Sequence, residues 1–126
     1  MKKLRKQSLD GKVETFLMAI LESGPSYGYG LVQELARRAQ GLLRLGEGTI
    51  YPVLHRMEER DLIAANWRES GNGRPRKYYR LTPKGRRALA ENRAEWRILS
   101  QVMDIVLKPA GIPDDDVAAQ AEGGPL

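Results

Sequence analysis

The chain has 126 residues, of which 41% are hydrophobic and 29% charged, and its 21 lysines and arginines outnumber 16 aspartates and glutamates. This length fits one domain, or one small domain with an accessory helix. The sequence has no cysteine and a single histidine, His55, which argues against disulfides, cysteine or multi-histidine metal sites and a Ser-His-Asp triad. Without a bilayer-length apolar run or a signal peptide, we expect a soluble, cytoplasmic protein that is not an enzyme and has no cofactor, metal or membrane partner.

The first three predicted elements are short helices. Apolar residues at helical spacing predict a helix over 9–21, which Gly24-Pro25 ends. Ser26 is a good N-cap for a second helix that runs to about Gln40, and a third runs over about 46–61. Three short helices joined by tight turns are the ingredients of a helix-turn-helix.

The next segment changes to strand-like spacing. Residues 62–69 and 76–81 alternate as strands do, and SGNGRP between them predicts a β-hairpin with Arg74, Pro75 and Arg76 at its tip. Residues 66–87 contain eight basic side chains and one acidic one. Such a one-sided cluster favours nucleic acid as a partner over an anionic membrane surface, although a solvated basic surface is the alternative.

A fourth helix is predicted from Thr82-Pro83 to about Lys108, because a hydroxyl N-cap followed by proline is a typical start. Residues 109–126 lack periodicity and predict a disordered tail. The predicted fold class is mainly α with a small β-hairpin (α+β). We interpret residues 1–82 as a winged helix-turn-helix domain for DNA binding and residues 83–108 as a C-terminal dimerisation helix.

Several motifs, at the right intervals over about residues 9–108, closely resemble the PadR-like family of bacterial transcriptional regulators. They are GPSYGYGLVQEL, GLLRLGEGTIYPVLHRMEERDLI and GRPRKYYRLTPKGRRAL. The resemblance implies a homodimeric repressor, autoregulatory or controlling a neighbouring gene, that a small-molecule or stress signal releases. The chain departs from the family at Gly46, where serine is common, but glycine is only roughly a few tenths of a kcal/mol worse as an N-cap.

The third helix carries the candidates for reading DNA in the major groove. At roughly 100° per residue, its polar face lies opposite Ile50 and Leu54. The candidates for base or phosphate contact are Thr49, Tyr51, His55 and Arg56, with Gly48 and Pro52 allowing close approach. Pro52 is interpreted as lying in the first turn, where proline is tolerated. The alternatives are that Tyr51 packs against the hairpin and that His55 is a neutral surface residue.

Two other segments are candidate DNA contacts. The hydroxyls of Ser26 and Tyr27, with the free N–H groups at the start of the second helix, form a candidate phosphate clamp. Arg74 and Arg76 could enter an adjacent minor groove, while Lys77 and Arg68 meet phosphates. Tyr29 could instead belong to the core, and of Tyr78 and Tyr79, which lie on opposite strand faces, one is expected to be buried.

The fourth helix carries a heptad-like apolar stripe without a partner in the winged domain, which predicts a symmetric dimer that binds an inverted repeat in double-stranded DNA. Phe16 on the first helix is expected to complete the interface. The stripe consists of Leu89, Asn92, Trp96, Leu99, Met103 and Val106. Trp96 is interpreted either as an interface tryptophan or, as in some relatives, as a platform for a flat aromatic effector.

Two other function classes remain open from the sequence. A winged-helix module could use its basic surface to bind an acidic protein. An RNA-binding protein is less favoured, because sequence-specific RNA recognition needs exposed aromatic side chains and few lie near the basic cluster. Serines, threonines and carboxylates are scattered, so the sequence offers no candidate catalytic residue.

Overall fold

The computed structural model describes residue 9 and residues 11–111. In this part of the chain the elements are, in order, α1 (Lys12–Leu21), β1 (Ser26–Tyr27), α2 (Gly28–Arg38), α3 (Glu47–Glu59), β2 (Ile63–Glu69), β3 (Pro75–Leu81) and α4 (Pro83–Val106). The predicted fold class, mainly α with a small hairpin, is confirmed. Across the described residues, none of the helices combines the length and hydropathy needed to cross a bilayer.

The sheet is antiparallel with the strand order β1-β3-β2. The hairpin of β2 and β3 is the predicted wing, and its register runs from Ile63 opposite Leu81 to Glu69 opposite Pro75. The short β1 pairs Ser26 with Tyr79 and Tyr27 with Tyr78. The assignment of Ser26 as the N-cap of the second helix is therefore wrong: pairing with β3 keeps Ser26 extended, and Tyr27 takes the N-cap position instead.

Side chains from α1, α2, α3 and the sheet form a hydrophobic core. Leu17 on α1, Leu31 on α2 and Ile50 and Leu54 on α3 are fully buried. Burial of each such side chain stabilises the fold by roughly 1.5–3 kcal/mol. The predicted apolar stripe of the third helix is buried as a whole, so the opposite face of that helix is the one left for a partner.

The tyrosines separate by burial as strand alternation requires. Tyr79 is buried and Tyr78 is half-buried, which confirms that one of the pair belongs to the core. Tyr29, in contrast, is exposed, so its interpretation as a core residue is wrong. Its side chain lies on the outward face of α2, between the buried positions Gly28 and Leu31.

The start of α4 is fixed against the end of the helix-turn-helix. The hydroxyl of Thr82 lies 2.6 Å from the carbonyl oxygen of Asp61 and accepts a hydrogen bond from the N–H of Gly85 at 3.0 Å, as an N-cap does. A Cβ on Gly85 would overlap the carbonyl oxygen of Leu62. Glycine therefore permits the close approach of α4 to the start of β2.

The described chain divides into two units after Asn92, inside α4 rather than at residue 82. Leu89 is 1% exposed and belongs to the core of the first unit, and Asn92 donates a hydrogen bond to Thr15 at 2.8 Å. Leu89 therefore does not lie in an exposed seam, which corrects its assignment to the dimer interface. Phe16 is partly buried against the same core.

The second unit, from Arg93 on, contains the remainder of α4. Its exposed large apolar side chains are Trp96, Ile98, Leu99, Val102, Met103, Ile105, Val106 and Leu107. Residues 112–126 of the predicted disordered tail lie outside the described residues.

Candidate nucleic-acid interface

The outward face of α3 is formed by residues that the sequence assigned to it. Gly48, Pro52, His55, Arg56 and Glu59 are all exposed, and Thr49 is half-exposed beside them. The helix starts at an extended Gly46, whose carbonyl oxygen accepts hydrogen bonds from the N–H groups of residues 49 and 50. The face therefore combines short residues near the helix start with longer polar side chains one turn further on.

Pro52 lies inside α3, which begins at Glu47, and not in its first turn. Because proline has no N–H, the carbonyl oxygen of Gly48 lacks its intrahelical donor. The interpretation of Pro52 as a first-turn proline is therefore wrong.

Tyr51 packs on the first residue of α2. A Cβ on Gly28 would overlap the hydroxyl and ring of Tyr51, so this contact requires glycine. Gly28 is buried, whereas Tyr51 remains 44% exposed. The contact with α2 fixes one side of the Tyr51 ring and leaves the other side available to a partner.

On the exposed face of α3, Nε2 of His55 lies 2.8 Å from Oε1 of Glu59. This contact is an ion pair when the imidazole is protonated. The neighbouring Arg56 is exposed on the same face. A carboxylate beside His55 competes with a phosphate for the imidazole. Arg56 is therefore the stronger candidate of the two for an anionic partner.

An ion pair connects the hairpin to α3. The Nζ atom of Lys77 on β3 lies 3.1 Å from Oε1 of Glu58 on α3 and 5.4 Å from the centre of the Tyr79 ring. The hydrogen bond with Glu58 raises the pKa of Lys77, and burial raises the pKa of Tyr79. Lys77 is thus paired within its own chain, and its assignment to phosphate contact stays a prediction.

On the other face of the sheet, two arginines stack on two tyrosines. The guanidinium of Arg76 lies 4.6 Å from the centre of the Tyr27 ring, and that of Arg68 lies 4.8 Å from the centre of the Tyr78 ring. The two rings contact each other with their centres 5.4 Å apart. We call these four side chains the arginine–tyrosine row. The sequence did not predict the row, although the strand alternation that places Arg76 and Tyr78 on one face was visible.

The predicted hairpin tip divides between the loop and the strand. Arg74 is exposed and directly follows a turn that a hydrogen bond from the N–H of Gly73 to the carbonyl oxygen of Ser70 closes at 3.0 Å. The Ser70 hydroxyl also contacts Asn72 and the carbonyl oxygen of Arg74. Arg76 lies within β3 and stacks on Tyr27, so its assignment to the tip is wrong because the strand begins at Pro75.

The candidate phosphate clamp of Ser26 and Tyr27 takes a different form from the one expected. The hydroxyl of Ser26 donates to the carbonyl oxygen of Tyr27 at 3.3 Å. The ring of Tyr27 lies against Tyr78 and under Arg76. The structure therefore brings Tyr27 together with the basic hairpin, which the separation of the two segments in sequence did not reveal.

The chain is similar to known transcriptional regulators in sequence and structure. The sequence profile described as "Transcriptional regulator PadR-like family" matches residues 17–91. The transcriptional regulator Rv3488 of Mycobacterium tuberculosis is 45% identical over 67 residues, which cover 53% of this chain and 59% of that protein. This chain thus spans less than two thirds of the length of that relative.

Solved structures show the same fold. A transcriptional regulator from Clostridium thermocellum has a TM-score of 0.75 and 27% identity, covering 83% of this chain and 99% of that one. A PadR-like transcriptional regulator from Bacillus cereus has a TM-score of 0.72 and 33% identity, covering 82% of this chain and 99% of that one. The family and the fold are those of transcriptional regulators, which are generally not enzymes.

Proposed function

The chain belongs to the PadR-like family of transcriptional regulators, and from this we propose that it is a dimeric repressor that reads a specific DNA sequence and is released by a small-molecule or stress signal. DNA binding is implied by the family. The observation that supports the proposal for this chain is the exposed face of α3 beside a basic hairpin, joined by the contact between Glu58 and Lys77.

The recognition helix of the proposal is α3, placed in the major groove. Thr49 and Tyr51 lie near its start, where helix-turn-helix proteins concentrate their base contacts. Arg56, with His55 beside it, is assigned to base or phosphate contact. Gly48 and Pro52 carry no long side chain and so allow the helix to approach the bases closely.

The hairpin provides the second contact. Arg74 at the exposed turn is assigned to the adjacent minor groove, where narrow A·T-rich segments concentrate negative potential. Arg76 is assigned to the DNA backbone, and Lys77 positions the hairpin through Glu58. Ser26 and Tyr27 lie beside the hairpin at the start of α2, whose free N–H groups suit a phosphate.

The dimer is assigned to the exposed apolar side chains of α4 beyond Arg93. Trp96, Leu99, Met103 and Val106 recur at steps of three and four residues, which is the spacing of a helix–helix seam. A second copy would cover them. A two-fold dimer of this kind binds an inverted repeat with half-sites about one helical turn, ~10 bp, or a multiple apart.

The release signal concerns Trp96 on the exposed part of α4. Trp96 is 55% exposed, and an indole at a dimer seam can either pack against the partner or hold a flat aromatic compound. We assign it first to the interface, because one tryptophan does not define a pocket. Release of labelled DNA on addition of flat aromatic compounds, compared between the wild type and Trp96→Leu, distinguishes the two roles.

The direct test is a gel shift and footprint with the DNA upstream of the protein's own gene. The proposal expects a protected inverted repeat and a complex that survives competitor DNA. Footprints on random DNA of the same intensity would contradict sequence specificity. Binding to an acidic protein in place of DNA would favour the interaction-module alternative.

A further inference from the structure

We propose that the arginine–tyrosine row is a preformed clamp for the phosphates of the DNA backbone. Arg68 and Arg76 hold phosphate oxygens, and Tyr27 and Tyr78 are positioning residues that fix the two guanidinium groups. The inference rests on the proposed function, because its ligand is the DNA duplex, and it names the part of the site that provides affinity without sequence preference.

The positions of Arg68 and Arg76 on the hairpin favour the binding of an anion. Arg68 and Arg76 are direct cross-strand partners, so their side chains emerge side by side on one face of the hairpin. Like charges directly opposite each other destabilise a strand pair. Among the residues that the structure describes, neither guanidinium has a carboxylate within ion-pair distance. A phosphate would compensate both charges at once.

The tyrosines hold the arginines ready for such a ligand. The central carbon of each guanidinium lies over a ring, at 4.6 and 4.8 Å from the ring centres. Stacking leaves the N–H edge of a guanidinium free for the paired hydrogen bonds that phosphate oxygens accept. Because the side chains are already ordered, binding loses less conformational entropy.

The row is itself anchored to the helix-turn-helix. Tyr27 pairs with Tyr78 through β1 and β3, and a Cβ on Gly30 of α2 would lie 3.3 Å from the Tyr27 ring. The platform under Arg76 is therefore built from α2 and the sheet together. Lys77 lies on the opposite face of β3 and pairs with Glu58. One face of the hairpin is therefore assigned to phosphate contact, and the other contacts α3.

A phosphate clamp makes a prediction that a base-reading contact does not. The phosphates are alike in every sequence, so loss of the clamp weakens binding to operator and random DNA equally. Each neutralised phosphate contributes about 0.9 to the slope of log affinity against log salt. The two arginines therefore account for about one to two units of that slope, depending on whether they share a phosphate.

The experiment measures affinity for the upstream fragment and for a random duplex of equal length over a series of salt concentrations. Arg68→Ala with Arg76→Ala should lower the slope on both duplexes by the same amount, whereas Arg86→Ala, at an exposed arginine outside the row, should change it less. Tyr78→Leu should weaken binding to both duplexes several-fold. Tyr78→Phe keeps the ring face and should weaken binding far less than Tyr78→Leu does.

The outcomes separate this inference from the proposed function. If the wild type binds the upstream fragment specifically and the double arginine variant keeps its affinity and slope, the clamp is wrong and the proposed function stands. If the wild type binds neither duplex, the proposed function itself is wrong. If Tyr78→Phe loses as much affinity as Tyr78→Leu, with unchanged thermal melting, the Tyr78 ring does not position Arg68.

Discussion

Lys77 on β3 and Glu58 on α3 lie 3.1 Å apart, and this ion pair joins the hairpin to the helix that we place in the major groove. Both side chains are 36% exposed, so solvent screens the pair. Its contribution to stability is about 1 kcal/mol or less. The pair connects the hairpin to the last turn of α3.

The first prediction tests whether Lys77 positions the hairpin or contacts DNA. Lys77→Met should lower the free energy of unfolding by about 1 kcal/mol or less and weaken DNA binding, because Glu58 is left unpaired beside the DNA. The salt slope should stay at the wild-type value, and Glu58→Gln in the same chain should restore part of the affinity. If the slope of log affinity against log salt were smaller by about 0.9, Lys77 would instead contact a phosphate.

The second prediction concerns alkaline pH. Burial raises the pKa of Tyr79, and the hydrogen bond with Glu58 raises the pKa of Lys77. A raised pKa means that the folded state binds the proton more tightly than the unfolded state. The contribution of these two groups to stability is therefore complete below their ordinary pKa values, about pH 10. This contribution is lost as the pH rises beyond them.

Urea unfolding at pH 8 and at higher pH measures this loss. Tyr79→Phe removes the tyrosine ionisation, so its free energy of unfolding should fall less between the two pH values than that of the wild type. Lys77→Met should also flatten the dependence. An equal fall in all three proteins would show that other groups control alkaline unfolding.

Apolar spacing predicted the helices because their burial is set by local periodicity. Ile50 and Leu54 marked the buried face of α3, and the opposite face followed from the helix geometry. The strand β1 could not be predicted in this way. Ser26 and Tyr27 form a strand only because β3, far along the chain, supplies their hydrogen-bond partners.

The stripe on the fourth helix shows a second limit. Leu89 and Trp96 belong to the same predicted stripe, seven residues apart, yet Leu89 is buried by its own chain and Trp96 is exposed. Sequence spacing identifies a stripe but not what covers it. The same holds for charge: the basic cluster was visible, but the pairing of Lys77 with Glu58 and the stacking of Arg76 on Tyr27 depend on tertiary contacts.

The third prediction tests the contact between Gly28 and Tyr51. Gly28→Ala would place a methyl group in steric overlap with the hydroxyl and ring of Tyr51, so the ring must move. In a double-mutant cycle with Tyr51→Ala, the two sites should couple by about 0.5–3 kcal/mol in unfolding free energy. If Tyr51 reads a base, either variant should lose about 1–3 kcal/mol of discrimination between operator and random DNA. Equal losses on both duplexes would assign Tyr51 to the DNA backbone.

The fourth prediction separates folding from DNA binding at Gly48. Among the described residues, no atom lies within 4 Å of the position that a Cβ on Gly48 would occupy, beyond its chain neighbours and its own helix backbone. Gly48→Ala should therefore stabilise α3 by roughly 0.5–1 kcal/mol. The same methyl group would stand between α3 and the bases, so operator affinity should fall. Thermal melting and a gel shift measure the two effects, and unchanged affinity would place this face away from the DNA.

The last prediction concerns assembly through the exposed part of α4. Leu99→Glu with Met103→Glu would place carboxylates in the proposed seam, where unpaired buried charge is strongly disfavoured. Light scattering should show a particle of half the wild-type mass, and operator affinity should fall although α3 and the hairpin are unchanged.

Gln101→Glu, at an exposed polar position of the same helix, is the matched control and should remain a dimer. Leu99 and Met103 lie outside the core of residues 9–92. The melting temperature of that core should therefore be unchanged in the double variant. Loss of two-fold binding without loss of folding is the result that assigns the seam to assembly. If the double variant kept the wild-type mass and affinity, the dimer interface would lie elsewhere in the protein. Two carboxylates cannot be accommodated in an apolar seam without a loss of stability.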